Sequence, residues 1–129
     1  MAVDSSALMA VVLGEDDAEA YVSAMTSDDH VIIGAATLAE ATIVAEARGG
    51  SGGRDRLEQL LRAIGAEVVP FDEAAAVVAA NSMRRFGRGR HPARLNLGDS
   101  CAYATARLAE APLLFKGGGF AQTDIRSAL

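Results

Sequence analysis

Three carboxylates in this chain stand where an ionised group is costly. Asp4 closes the first apolar run and precedes Ser5-Ser6-Ala7-Leu8, while Glu40 has Ala36, Thr37, Ile43 and Val44 three and four residues away, the spacing of one helix face. Asp99 opens the most apolar helical stretch, Cys101 to Ala109. A buried carboxylate without a partner costs an amount comparable with the net stability of a domain, so a group of them persists only beside a compensating charge. A divalent cation supplies that charge. Each acid also suits a simpler role: Asp4 as the cap of a helix beginning at Ser5, Glu40 as a solvated residue if the helix phase differs, Asp99 as an acid at a helix start.

The basic residues are just as unevenly placed. Arg84, Arg85, Arg88, Arg90 and Arg94 put five guanidiniums and no acid into eleven residues, with His91 among them. The whole chain carries a formal charge of −5, and without those five arginines seven basic residues face seventeen acids. Such a patch can contact phosphates, although a solvated arginine-rich loop has the same composition. Cys101 stands alone, which excludes an internal disulfide, and on an apolar helix face it suits a small core position. The isolated His30 and His91 offer no zinc spacing. With no tryptophan and 5% aromatic residues, a platform of stacked aromatics for single-stranded nucleic acid is also excluded.

The elements that must position these groups alternate along the chain. Strand signals occur at the first four residues, Val31-Ile32-Ile33, Ala66 to Pro70 and Pro112 to Phe115. Helices are predicted from Ser5 to Gly14, from the acids at Glu15–Glu19 to Ser27, and from Thr37 to Arg48. Three more follow: one carrying Leu57, Leu60, Leu61 and Ile64 with Gly65 as its stop, one capped by Asp72 and ending near Phe86, and the apolar helix opened by Asp99. The glycines from 49 to 53 are predicted to form a flexible connection, and Gly87 to Leu97 an arginine loop. This order predicts an α/β fold, a mainly parallel sheet flanked by helices, in one domain spanning residues 1–129. Ligands of such sheets bind beyond the carboxyl ends of the strands, where Asp4 falls. No apolar run approaches a membrane span and no basic segment opens the chain, so a soluble, cytoplasmic protein is expected.

Taken together, these motifs resemble the PIN-domain ribonucleases of bacterial toxin–antitoxin pairs, the VapC toxins. Val3-Asp4-Ser5-Ser6-Ala7-Leu8 is similar to that family's opening, and Glu40 in Thr37-Leu38-Ala39-Glu40 falls at its second acid. The run Gly87 to Asp99, ending Asn96-Leu97-Gly98-Asp99, resembles a segment of one VapC subgroup whose last aspartate is the third acid. Leu113 to Gly117 and Thr123-Asp124-Ile125 are similar to its C-terminal signature. The resemblance implies a PIN-like domain with four or five mainly parallel strands and acids gathered on Mg2+ or Mn2+. It further implies metal-dependent RNA cleavage, neutralisation by a VapB-type antitoxin, and a homodimer.

Under this resemblance Asp4, Glu40 and Asp99 are expected to be the catalytic metal ligands, with Ser6 and Asp124 in support and Arg84, Arg85, Arg88, Arg90 and Arg94 on the RNA backbone. One departure stands out. Gly118-Gly119 occupies the place of an acidic pair in the family, which leaves a second reading: a weakened or inactive PIN-domain protein that binds antitoxin and RNA. Aspartate at 119, alone or with aspartate at 118, is therefore expected to raise cleavage.

Overall fold

Apolar residues alternate across each short strand, and that alternation divides the protein into two cores on either side of one sheet. The computed structural model describes residues 1–129. Its strands are β1 (Ala2–Val3), β2 (Ile32–Gly34), β3 (Glu67–Val69) and β4 (Leu113–Leu114), all parallel, in the order β3-β2-β1-β4. Ala2 pairs with both Ile32 and Leu113, and Val3 with Leu114. Beyond β4, Leu113 bridges to Ser127 in parallel, so the tail extends the sheet by a single fifth contact. This matches the expected four- to five-stranded sheet.

Six helices cover the two faces: α1 (Ser5–Val12), α2 (Ala18–Thr26), α3 (Ala35–Arg48), α4 (Gly53–Ala63), α5 (Glu73–Phe86) and α6 (Leu97–Leu108). Val3, Ile33 and Leu114 pack with α1 to α4, burying Leu8, Met25, Ala41 and Leu57 among others. Ala2, Ile32 and Leu113 face the opposite way, onto Phe86, Leu95, Ala102, Tyr103 and Phe120. As its composition requires, α6 is buried continuously from Ser100 to Ala106, Cys101 included. No helix is long and apolar enough to cross a membrane.

Local chemistry sets the helix ends. Asp4 caps α1 by accepting from the Ser6 N–H, and Asp72 caps α5 by accepting from Ala75 N–H. Three boundaries differ from expectation. The acids at 15 to 17 precede α2 rather than opening it, because Gly14 at φ +67° ends α1 and Glu15 N–H bonds back to Ala10. The cap of α6 is Asn96, not Asp99, and the two close a reciprocal capping box. The glycine tract is built rather than flexible: Gly50–Gly52 forms a 3-10 turn, and a Cβ on Gly53 would stand 2.0 Å from the Ala45 carbonyl of α3. Only glycine lets α4 start that close to α3.

Candidate active site

The carboxyl ends of β1, β2 and β4 bring the acids together. Asp4 immediately follows β1, Glu40 lies on the helix that leaves β2, and Asp99 stands in the first turn of α6, which packs against both strands. Asp4 is buried, 2% exposed, whereas Glu40 and Asp99 are half-buried. The face of α3 carrying Glu40 is less apolar than expected: Thr37 and Ala41 point inward, but Ile43 is exposed. Glu40 therefore occupies the border between core and solvent.

Each carboxylate gives one oxygen to a protein donor and keeps the other free. Asp4 Oδ2 accepts from Ser6 N–H at 2.9 Å and from the Ser6 hydroxyl at 2.5 Å, while its buried Oδ1 has no hydrogen-bond partner. Glu40 Oε2 accepts from the Ser5 hydroxyl at 3.2 Å, leaving Oε1 without a partner. Asp99 Oδ2 accepts from Asn96 N–H at 2.8 Å, leaving Oδ1 likewise. Gly98 gives the Glu40 carboxylate room: a Cβ there would lie 2.5 and 2.6 Å from its two oxygens. The same contact sets Glu40 against the first turn of α6, whose positive end favours an anion.

Electrostatics mark the group as short of positive charge. Burial pushes the Asp4 carboxyl up from 3.8 to about 6; the Ser6 hydrogen bonds oppose the rise, and the charges of Asp99 and Glu40 add to it. Asp99 is also raised by burial, partly offset by the Asn96 N–H and the Arg88 guanidinium. As they stand, no three acidic, histidine or cysteine side chains are close enough together to hold a metal ion. Glu40 and Asp99 are turned to their own neighbours, Ser5 and Asn96. Three free hard oxygens, one of them buried and unpartnered, nonetheless fit a divalent ion that keeps several of its waters.

Other expected residues have different surroundings. Ser6 does support Asp4, and its hydroxyl also accepts from Lys116 N–H at 2.9 Å. Asp124 does not join the acids: Tyr103 donates to its Oδ1 at 2.6 Å and Arg85 to its Oδ2 at 3.0 Å, fastening the tail to α6 and α5. The five arginines divide. Arg84 donates to Asn81 and Arg85 to Asp124, whereas Arg88, Arg90 and Arg94 have no carboxylate partner and line an open depression with Gly89, His91 and Pro92. Phe86 anchors the start of this loop, with Arg85 over its ring at 4.6 Å and His91 edge-on at 5.2 Å.

Family comparison accounts for this arrangement. The PIN domain profile matches residues 1–126. The chain belongs to the PIN-domain family. Within it, the chain is 39% identical over 125 residues to a ribonuclease VapC of Mycolicibacterium smegmatis, covering 97% of each. It is 41% identical over 126 residues to ribonuclease VapC36 of Mycobacterium tuberculosis, covering 97% of this chain and 91% of that one. The PIN fold recurs in the crystal structure of M. tuberculosis VapC20, described as a sarcin-ricin loop cleaving toxin, with a TM-score of 0.74 at 14% identity over 96% and 95% of the two chains. A toxin–antitoxin complex from Klebsiella pneumoniae matches with a TM-score of 0.70 at 17% identity over 95% and 92%. PIN-domain nucleases are divalent-metal dependent, in keeping with the three free oxygens.

Sequence reasoning missed Ser5, Asn96 and Gly98. The Asn96-x-x-Asp99 spacing is a capping-box signal and was available, whereas the contacts of Ser5 and Gly98 with Glu40 join segments that only the fold brings together.

Proposed function

We propose that the protein is a VapC-type RNA endonuclease, the toxin of a toxin–antitoxin pair, in which Asp4, Glu40 and Asp99 hold Mg2+ or Mn2+. The observation that carries this reading is the buried Asp4 Oδ1, unpartnered beside two further carboxylates that each keep a free oxygen. A bound divalent ion would polarise a water for attack and would neutralise charge developing on the scissile phosphate.

The protein's own groups do the rest. Ser6 fixes the orientation of Asp4 so that Oδ1 is the oxygen presented, and Ser5 does the same for Glu40. Arg88, Arg90 and Arg94 bind the RNA backbone and set its register without reading bases. Arg88 is close enough for its charge to lower the Asp99 carboxyl, which places the start of the basic loop on the Asp99 side of the acids. Arg84 and Arg85 are left with a lesser share, since both already have partners. The proposed setting is cytoplasmic, with a VapB-type antitoxin, an RNA substrate and a homodimer, all within one domain.

Calorimetry with Mn2+ and cleavage of labelled total RNA test the site. Asp4→Asn and Asp99→Asn should each abolish Mn2+ binding and cleavage while the circular dichroism spectrum is retained. Parent-like Mn2+ affinity in both variants would remove the site from consideration.

A further inference from the structure

After β4 the chain reads Phe115-Lys116-Gly117-Gly118-Gly119, and Lys116 reaches Ser6, the partner of Asp4. Three consecutive glycines, Gly117 at φ +96°, have more conformational freedom to lose than any other run of that length. Nothing lies within 4 Å of where a Cβ on Gly117 or Gly118 would be, and the Gly118 carbonyl accepts from Gln122 Nε2 at 3.4 Å. Lys116 directly precedes the three glycines. Its ammonium donates to Glu15 Oε2 at 2.5 Å and to Asp17 Oδ1 at 2.6 Å, both on the turn between α1 and α2. Its backbone N–H donates to the Ser6 hydroxyl at the other end of α1.

We propose that Lys116 is a positioning residue for Asp4: its ammonium, held between Glu15 and Asp17, fixes the peptide N–H that orients the Ser6 hydroxyl. Because that hydroxyl accepts from Lys116 N–H at 2.9 Å, its own hydrogen is directed at Asp4 Oδ2, and Oδ1 is left as the free oxygen. The inference rests on the proposed role of Asp4 in holding the ion. A single half-exposed ion pair contributes little, but here two carboxylates converge on one ammonium, at the end of the segment nearest Ser6. The device acts at one remove from the ion, where loss of an orienting partner typically lowers metal affinity by about 10- to 100-fold.

Lys116→Met and Lys116→Arg, studied in the full-length protein, test this against Asp4→Asn as control. In metal-free protein, Lys116→Met should speed hydrogen exchange of the residue 116 amide by about tenfold, and calorimetry should show Mn2+ binding about tenfold weaker. Lys116→Arg, which can reach the same two carboxylates, should restore both to within about twofold. If the methionine variant does not fold, Asp17→Asn removes half of the anchor and should give a smaller loss of the same kind. Mn2+ affinity unchanged in folded Lys116→Met, or an arginine variant as weak as methionine, overturns the proposal. Should Asp4→Asn lose Mn2+ while Lys116→Met keeps it, only the positioning role fails; if Asp4→Asn binds Mn2+ like the parent, the site reading and this one fail together.

Discussion

Asp4 performs two functions that sequence alone presents as alternatives. It caps α1 through Oδ2 and keeps a buried, unpartnered Oδ1, so the cap and the proposed metal ligand are one residue. Asp99 does likewise through its capping box with Asn96. The double use has a consequence for stability. A carboxyl raised in the folded state from 3.8 to about 6 is protonated there while the unfolded chain is already ionised, so folding is fully favoured only below the lower value. As pH rises from about 4 through about 6, the contribution of Asp4 to the stability of the metal-free protein falls by on the order of 3 kcal/mol, at about 1.4 kcal/mol per unit. Urea unfolding of metal-free protein at pH 4.5 and 7.5 should show roughly 2 kcal/mol of this loss, and Asp4→Asn, which keeps an oxygen for the Ser6 donors but no charge, should remove that contribution. An Asp4→Asn protein with the parent's pH dependence would mean that this carboxylate is not the strained one. Residues such as Asp4, Glu40 and Asp99 were legible from type and setting. The Lys116 N–H was not, since a backbone donor acting on Ser6 from 110 positions away has no signature in sequence.

Helices and strands were legible because caps and stops are local. Asp72, Gly14 and Gly65 end or begin elements where propensity says they should, and the four apolar runs became the four strands. The glycines were the least legible element, because glycine marks both freedom and close approach, and only the neighbours decide. At 53 it is close approach to α3; at 118 it is open space. The distinction changes which substitution restores the family's missing acid. A Cβ on Gly119 would lie 3.0 Å from the Ala93 carbonyl, so aspartate there presses on the arginine loop, an overpacking strain of roughly 1–3 kcal/mol. Gly118 has no such neighbour. Gly118→Asp, rather than the expected Gly119→Asp, should therefore tighten Mn2+ and raise RNA cleavage at saturating metal, severalfold in each, while Gly119→Asp lowers the melting temperature. Parallel calorimetry, cleavage and thermal melts of the two variants check this, and equal gains in both would contradict the packing argument.

At the scale of the whole molecule the sheet fixes where opposite charges meet. Its carboxyl ends lie toward the acids, and α5 delivers the chain into a loop whose Gly87 and Leu95 bridge to each other and hold Arg88 near Asp99. The charge asymmetry was visible in sequence, but its division was not: Arg85 is used to fasten the tail through Asp124, Arg84 donates to Asn81, and Arg88, Arg90 and Arg94 remain without a side-chain partner. An acidic protein repels RNA at long range, so affinity must come from these local contacts, each releasing counterions from the phosphate it neutralises. For single strands the slope of log K against log salt changes by about 0.7 per phosphate contact, so replacing all three arginines with glutamine should flatten it by about 2. Arg84→Gln with Arg85→Gln should change it far less, and the loss in the triple variant should be similar across RNA sequences, as expected of backbone contacts. Filter binding of Asp4→Asn protein, which does not cut its ligand, at several salt concentrations measures both slopes. A triple variant with the parent slope would make the loop a solvated surface, and RNA would have to be held elsewhere.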